Sequence, residues 1–205
     1  HLAGSDDQQF DTFTHEQFKR YRENSEKLID ALHLKPIRHI LNTSGIFHYP
    51  EMQMEMVRLG IGLYGIGNSD YENQHLLNVS TLKSIISQIR TVEPGESVGY
   101  SRKFMVEKPT RVASIPIGYA DGIRRALGNQ KSYVLINDQK AFIIGNVCMD
   151  TLMTDVTDIA CKEGDDVIIF GENPKVIELA KILNTIPYEI LTSISQRVKR
   201  VFYKN

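Results

Sequence analysis

A change of rhythm near residue 75 constrains the fold of this chain more than any other feature of its sequence. Before it, apolar residues at helical spacing alternate with short β-branched runs; after it, short strands are expected about every 10 to 15 residues. All six histidines (His1, His15, His33, His39, His48 and His75) fall on the first side. The 205 residues suffice for one large or two modest domains with a buried core, and the shift in pattern favours two: residues 1–75 and 76–205.

In the first half, Phe18, Tyr21, Leu28 and Leu32 share one helical face, with Lys19, Arg22, Glu23, Glu26 and Lys27 on the other. Thr14 and Gln17 form a capping-box pattern at the expected helix start, and Pro36 follows its end near His33. His15 and His33 are therefore expected on a surface helix. Residues 37–41 read as a strand running into the polar cluster Asn42, Thr43, Ser44 and Gly45. Pro50 is expected to open a short helix through Met56. Residues 57–61 read as a second strand, followed by Gly62, Gly65 and Gly67. Such a succession is the rhythm of a parallel α/β unit, where functional groups gather at the carboxyl ends of strands. Thr43 and Gly60 occupy such ends. The polar run 68–74 reads as the boundary.

In the second half, strands are expected at 85–92, 111–117, 133–136, 141–144 and 167–170, with a turn at Pro94-Gly95 and a hairpin at Asn137-Asp138. Pro174 is expected to open a helix. Arg197, Lys199 and Arg200 alternate with Val198 and Val201, which reads as a strand at a solvated edge or a dimer contact.

Composition removes several functions. With 24 Lys+Arg against 25 Asp+Glu the net charge is −1, so no summed positive field exists to hold a nucleic acid. No apolar run approaches the roughly 20 residues that cross a bilayer, and no leader opens the chain, so neither a membrane nor secretion is expected. Cys148 and Cys161 make neither a disulfide framework nor a zinc motif, and the histidines lack metal-ligand spacing. The expectation is a cytoplasmic protein without a metal, its cysteines small buried side chains.

Five motifs go further. They are Met56 through Gly65 (with Arg58-Leu59-Gly60-Ile61-Gly62), Gly95-Glu96-Ser97-Val98-Gly99-Tyr100, Ile115-Pro116-Ile117-Gly118-Tyr119-Ala120-Asp121-Gly122, Cys148-Met149-Asp150, and Asn184 through Thr192 with Pro187-Tyr188-Glu189. In this order and at these spacings the chain resembles the alanine racemases over its whole length. The resemblance implies the last strands and helices of a (β/α)8 TIM barrel that binds pyridoxal 5′-phosphate, followed by a β-rich C-terminal domain. The fold class is thus α/β plus all-β. It also implies a Schiff-base lysine upstream of anything resembling His1; no lysine here sits in that motif.

Each site residue below is implied by the resemblance. Arg58 matches an arginine facing the cofactor's pyridine nitrogen, and His1 matches a histidine bonded to that arginine. A guanidinium cannot release its proton at ordinary pH, so it donates a hydrogen bond and leaves the ring nitrogen unprotonated, a weaker electron sink. Thr43 (or Ser44, if the register slips by one), Gly60, Ile61 and Tyr188 match groups that bind the cofactor phosphate. Tyr100 matches the catalytic tyrosine, which enters the active site of the neighbouring subunit of a homodimer and works opposite the lysine. Racemisation needs two such groups on opposite faces of the substrate carbon. A phenol has an ordinary pKa near 10, so a positive group is needed nearby. Met149 and Tyr119 match residues at the substrate carboxylate and the active-site entrance. The implied activity is interconversion of L- and D-alanine, supplying D-alanine for peptidoglycan. A broad-specificity or serine racemase of the same fold, or a non-catalytic dimerisation or binding fragment, remains open on sequence alone.

Overall fold

The computed structural model describes residues 1–203, which divide into a unit His1–Ser80 and a second from Thr81 onward. The expected second domain, 76–205, ends in two residues, 204 and 205, that lie outside the described ones.

In the first unit a 3-10 turn, Gln8–Phe10, leads into α1, Asp11–Leu32. The amphipathic spacing explains the helix, but the capping box at Thr14 and Gln17 does not form. Asp7 already caps the preceding turn, accepting from the Gln9 N–H at 3.0 Å, so the chain is helical before it reaches Thr14. Gln17 turns instead to the first residues: its amide accepts from Ala3 N at 3.0 Å and donates to His1 O at 2.7 Å. His33 ends α1 in a left-handed conformation, φ 51°, just past the helix.

Two expected strands, 37–41 and 57–61, are not regular strands. The segments run side by side through two backbone bonds, Met56 N to Arg38 O at 3.1 Å and Arg58 N to Leu41 O at 3.0 Å. Between them the Ile40 carbonyl accepts from Arg58 Nη2 at 3.0 Å, so a side chain takes the acceptor a ladder would use. Beyond, Ile61–Tyr64 winds into a 3-10 turn. The polar cluster after residue 41 begins α2, Thr43–His48, where Asn42 Oδ1 accepts from Gly45 N at 2.9 Å and from the Ser5 hydroxyl at 2.8 Å. Pro50 opens only the short turn Pro50–Met52. The run 68–74, expected as a linker, contains α3, Asp70–Gln74, capped by Ser69. Leu2, Ile40, Leu41, Tyr49 and Met52 form the core against Phe18, Tyr21, Ile46 and Val57. Each fully buried aliphatic side chain there contributes about 1.5–3 kcal/mol.

The second unit is built on seven antiparallel strands: β1 (Leu82–Ile85), β2 (Gln88–Val92), β5 (Thr110–Ile115), β6 (Tyr133–Ile136), β7 (Gln139–Ile144), β8 (Leu152–Asp155) and β9 (Asp166–Phe170). The two-residue strands β3 (Ser97–Val98) and β4 (Phe104–Met105) pair apart from it. The order β1-β9-β6-β7-β8-β5-β2 places consecutive strands at its two ends. Residues 85–92, expected as one strand, are thus a strand broken at Ile86 and Ser87. Ile86 N bonds Asp165 O at 3.0 Å and Ser87 N bonds Ser114 O at 2.9 Å, so these two residues carry the chain from one sheet edge to the other. Asn137 and Asp138, with φ of 49° and 61°, make the two-residue hairpin between β6 and β7. Two helices follow, α4 (Val176–Ile182) and α5 (Pro187–Ser193).

The stretch around Arg197 and Arg200 is no strand. Arg200 Nη1 and Nη2 donate to the carbonyls of Ser195, Val198 and Ile194, which folds the segment onto itself. Both cysteines are half-buried rather than buried; burial pushes the Cys161 thiol up, against the nearby Arg111.

The two segments of the first unit are also held by charge. Arg38 Nη2 lies 2.9 Å from Glu55 Oε1, and Arg38 N donates to Glu55 Oε2 at 3.0 Å. The guanidinium bond, with backbone donors behind it, holds the Glu55 carboxyl at about 2, down from 4.5. A depressed folded value means stability present above the unfolded value and lost as pH falls from there through about 2. Exchange protection of the Met56 amide should therefore decline between about pH 4.5 and 2, and Glu55→Gln should remove that acid dependence; an unchanged acid profile in the variant would contradict it.

Candidate functional site

Arg58 organises the first unit's polar residues. Its Nε donates to His39 Nδ1 at 2.8 Å, and its Nη2 lies 2.8 Å from His1 Nδ1 as well as bonding Ile40 O. A guanidinium only donates, so Nδ1 of each imidazole accepts and the ring proton sits on Nε2. Nη1 has no partner among the described residues and remains available to an outside acceptor. His1 is presented to Arg58 because Gln17 grips the backbone of residues 1–3 and Leu2 is buried in the core.

Further along the chain, Thr43 Oγ1 accepts from Gly60 N at 3.1 Å and from Gly62 N at 3.2 Å. Thr43 is buried as the first residue of α2, and Ile61, also buried, opens the following 3-10 turn. A Cβ at Gly62 would come within 2.9 Å of Thr43 Cγ2 and of Leu59 Cδ1, so a larger residue there would push on the threonine that carries the hydroxyl. The two glycine amides are thus satisfied by Thr43, and the Thr43 hydroxyl hydrogen is the donor left for an outside acceptor such as a phosphate oxygen. Ser44, the adjacent hydroxyl, accepts instead from Asn68 Nδ2 at 2.7 Å.

In the second unit Tyr100, Tyr119 and Met149 are carried by loops that meet along residues 145–150. Tyr100 opens a 3-10 turn and is 73% exposed. Its carbonyl accepts from Asn146 Nδ2 at 2.9 Å, and the two residues after it, Ser101 and Arg102, have φ of 60° and 48°. Two consecutive non-glycine residues in the left-handed region are strained, which fixes the corner on which the phenol stands. Tyr119 N donates to Cys148 O and Ala120 N to Met149 O, each at 2.9 Å. Gly118 makes this possible: a Cβ there would collide with the carbonyls of Cys148 and Met149.

Arg197 ties the same two loops from behind. Its Nε donates to Asp121 Oδ1 at 2.6 Å and its Nη2 to Asp150. Asp121 Oδ2 also accepts from Gly118 N at 2.8 Å. Burial alone would raise the Asp121 carboxyl, yet the Arg197 and Gly118 bonds hold it below the usual carboxylate range. Tyr188 stands in the first turn of α5 in this unit, half-exposed, its carbonyl accepting from Thr192 Oγ1 at 2.7 Å.

Sequence reasoning missed His39, Gly62, Gln17, Asn146 and Arg197. Gly62 lay within a motif already singled out, and His39 within the expected strand 37–41. Gln17 and Arg197 act over chain separations of 16 and 76 residues that no local pattern reports. Among the described residues, no helix is long and apolar enough to cross a membrane.

Comparison with known proteins bears on this arrangement. A family model described as the alanine racemase C-terminal domain matches residues 79–202, and one described as the N-terminal domain matches 1–68. Alanine racemase 1 of Clostridium acetobutylicum is 39% identical over 217 residues, covering 100% of this chain and 55% of the relative. An alanine racemase of Helicobacter pylori is 38% identical over 214 residues, covering 98% and 56%. Among solved structures, the alanine racemase of Clostridium difficile 630 superposes with a TM-score of 0.91 at 38% identity, over 100% of this chain and 54% of that one. The alanine racemase of Bartonella henselae with covalently bound pyridoxal phosphate gives 0.83 at 33%, over 99% and 55%. The chain spans about half the length of the curated relatives it matches. Matched by one family domain over more than half of its residues, and by a second over residues 1–68, the chain belongs to the alanine racemase family.

Proposed function

We propose that this chain is the carboxyl-terminal part of a cytoplasmic, pyridoxal 5′-phosphate-dependent alanine racemase that works as a homodimer with shared active sites. The observation that carries the reading is the Thr43 hydroxyl set between the Gly60 and Gly62 amides, on the same segment as an Arg58 whose Nη1 bonds none of the described residues. The Thr43 hydroxyl hydrogen fits a phosphate oxygen, and the arginine fits a ring nitrogen that is kept without a proton. When bound, pyridoxal phosphate supplies the electron sink that makes a substrate α-proton removable.

The chain's own residues then divide the work. Thr43, Gly60 and Ile61 hold the phosphate, and Tyr188 is read as a further phosphate donor on the strength of the resemblance. Arg58, fixed between His1 and His39, donates to the ring nitrogen and cannot hand it a proton. Tyr100 of one protomer delivers or removes a proton at the α-carbon in the partner's site, opposite the lysine implied upstream. Met149 and Tyr119, on loops clamped by Arg197 and Gly118, border the substrate carboxylate and the entrance. The small substrate is alanine, and the D-enantiomer serves peptidoglycan synthesis.

Three outcomes test this. In the full-length protein, Tyr100→Phe should lower racemisation about 10²–10⁴-fold while cofactor content stays unchanged; undiminished turnover would remove Tyr100 from its role. Arg58→Glu puts a carboxylate where the ring nitrogen is read to lie, favours its protonation, and should raise transamination of alanine to pyruvate; an unaltered product mixture would contradict the assignment. Given alone with pyridoxal phosphate, the 205-residue stretch should not interconvert the alanine enantiomers, and measurable racemisation would mean that a lysine within it does the work.

A further inference from the structure

Glu72 is a charged side chain with no exposure at all. A carboxylate removed from water is costly unless its oxygens find donors. Oε2 accepts the Asn68 N–H at 2.7 Å, and Oε1 lies 3.0 Å from His48 Nε2. Asn68 in turn donates through Nδ2 to Ser44 Oγ at 2.7 Å. Ser44 and His48 stand near opposite ends of α2. The bonds therefore close a circuit: Ser44 to Asn68, Asn68 to Glu72, Glu72 to His48, and back along α2.

A helix of six residues has little stability of its own, so its placement comes from what grips it. The Asn42 cap and Ser5 hold its start; the Glu72 circuit holds it from the side of α3. Asn73 stiffens that side by accepting from Gly67 N at 2.8 Å and donating to Ser69 O at 2.7 Å. The first residue of α2 is Thr43, whose hydroxyl must sit within bonding distance of two amides on another segment. Neither Glu72 nor Asn68 bonds that hydroxyl.

We propose that Glu72 is a positioning residue for phosphate binding, clamping α2 through Asn68 and His48 so that Thr43, Gly60 and Gly62 keep the spacing a phosphate monoester needs. The proposal rests on the reading of Thr43 and the Gly60-Ile61 backbone as the phosphate site. An apolar side chain could fill the same space, and what it could not do is tie the Gly67-Asn68 turn to both ends of α2.

The test is the ratio of dissociation constants of the 205-residue chain for pyridoxal 5′-phosphate and for pyridoxal, which lacks the phosphate. Glu72→Leu keeps the volume and removes both bonds; the preference for the phosphorylated ligand should fall about fivefold or more, with pyridoxal binding unchanged. Glu72→Gln can still accept from Asn68 and donate to His48 Nε2, and should restore the preference to within about twofold. Asn68→Ala, at an exposed position, cuts only the link to Ser44 and should lose part of the preference even if Glu72→Leu fails to fold. An unchanged ratio in Asn68→Ala, whether Glu72→Leu keeps its ratio, loses both ligands equally or fails to fold, would overturn the proposal. If the unmodified chain itself shows no phosphate preference, the phosphate-site reading fails and the role of Glu72 falls with it; if it does and the variants match it, only Glu72 is ruled out.

Discussion

A guanidinium has five N–H donors, no acceptor and a charge it cannot shed, and the first unit is arranged around those facts. Arg58 spends one nitrogen on His39 and another on both His1 and the Ile40 carbonyl. The bond to Ile40 interrupts what would otherwise be regular pairing between the two extended segments. That bond holds the arginine head against His39 and Ile40 of the first segment, while further along the Thr43 hydroxyl meets the Gly60 amide. The irregular backbone and the polar cluster are thus one feature, since the acceptor removed from the ladder holds the side chain that defines the site.

The second unit solves a different problem, that of presenting side chains outward from loops without letting them wander. Backbone contact replaces side-chain packing there. Gly118 lets the Tyr119 turn lie directly on the carbonyls of Cys148 and Met149, Asn146 grips the carbonyl of Tyr100, and Arg197 spans Asp121 and Asp150. Loops fixed by their backbones can expose large side chains, and Tyr100, Tyr119 and Met149 are all exposed. Exposure of such groups is costly in a packed core and ordinary for residues whose partners come from outside the fold.

Much of the architecture was legible in the chain. The helix α1, of whose expected apolar face Phe18 and Tyr21 pack on the core while Leu28 and Leu32 stay exposed, the Asn137-Asp138 hairpin and the strands β6, β7 and β9 follow from periodicity and turn chemistry, which act over a few residues. Several failures share a cause. The expected strands 37–41 and 57–61 yield to a bond from Arg58, the capping box at Thr14 yields to an earlier cap at Asp7, and Gln17 is drawn to His1. The strand expected near Arg197 yields to bonds with Asp121, Asp150 and neighbouring carbonyls. In every case a polar side chain found a partner, most of them distant in sequence, and outweighed a propensity of a few tenths of a kcal/mol per residue.

What the sequence determined by itself was the kind of molecule: an α/β first half, a strand-rich second half, and motifs whose order marks the family. Hydrophobic periodicity and glycine placement are written locally, so they survive reading one residue at a time. Only the tertiary structure decided which groups converge. That a threonine hydroxyl meets amides 17 and 19 residues away, and that a wholly buried glutamate braces the helix bearing it, depends on distances between segments. Those distances are set by packing the whole unit at once, and no stretch of chain carries them alone.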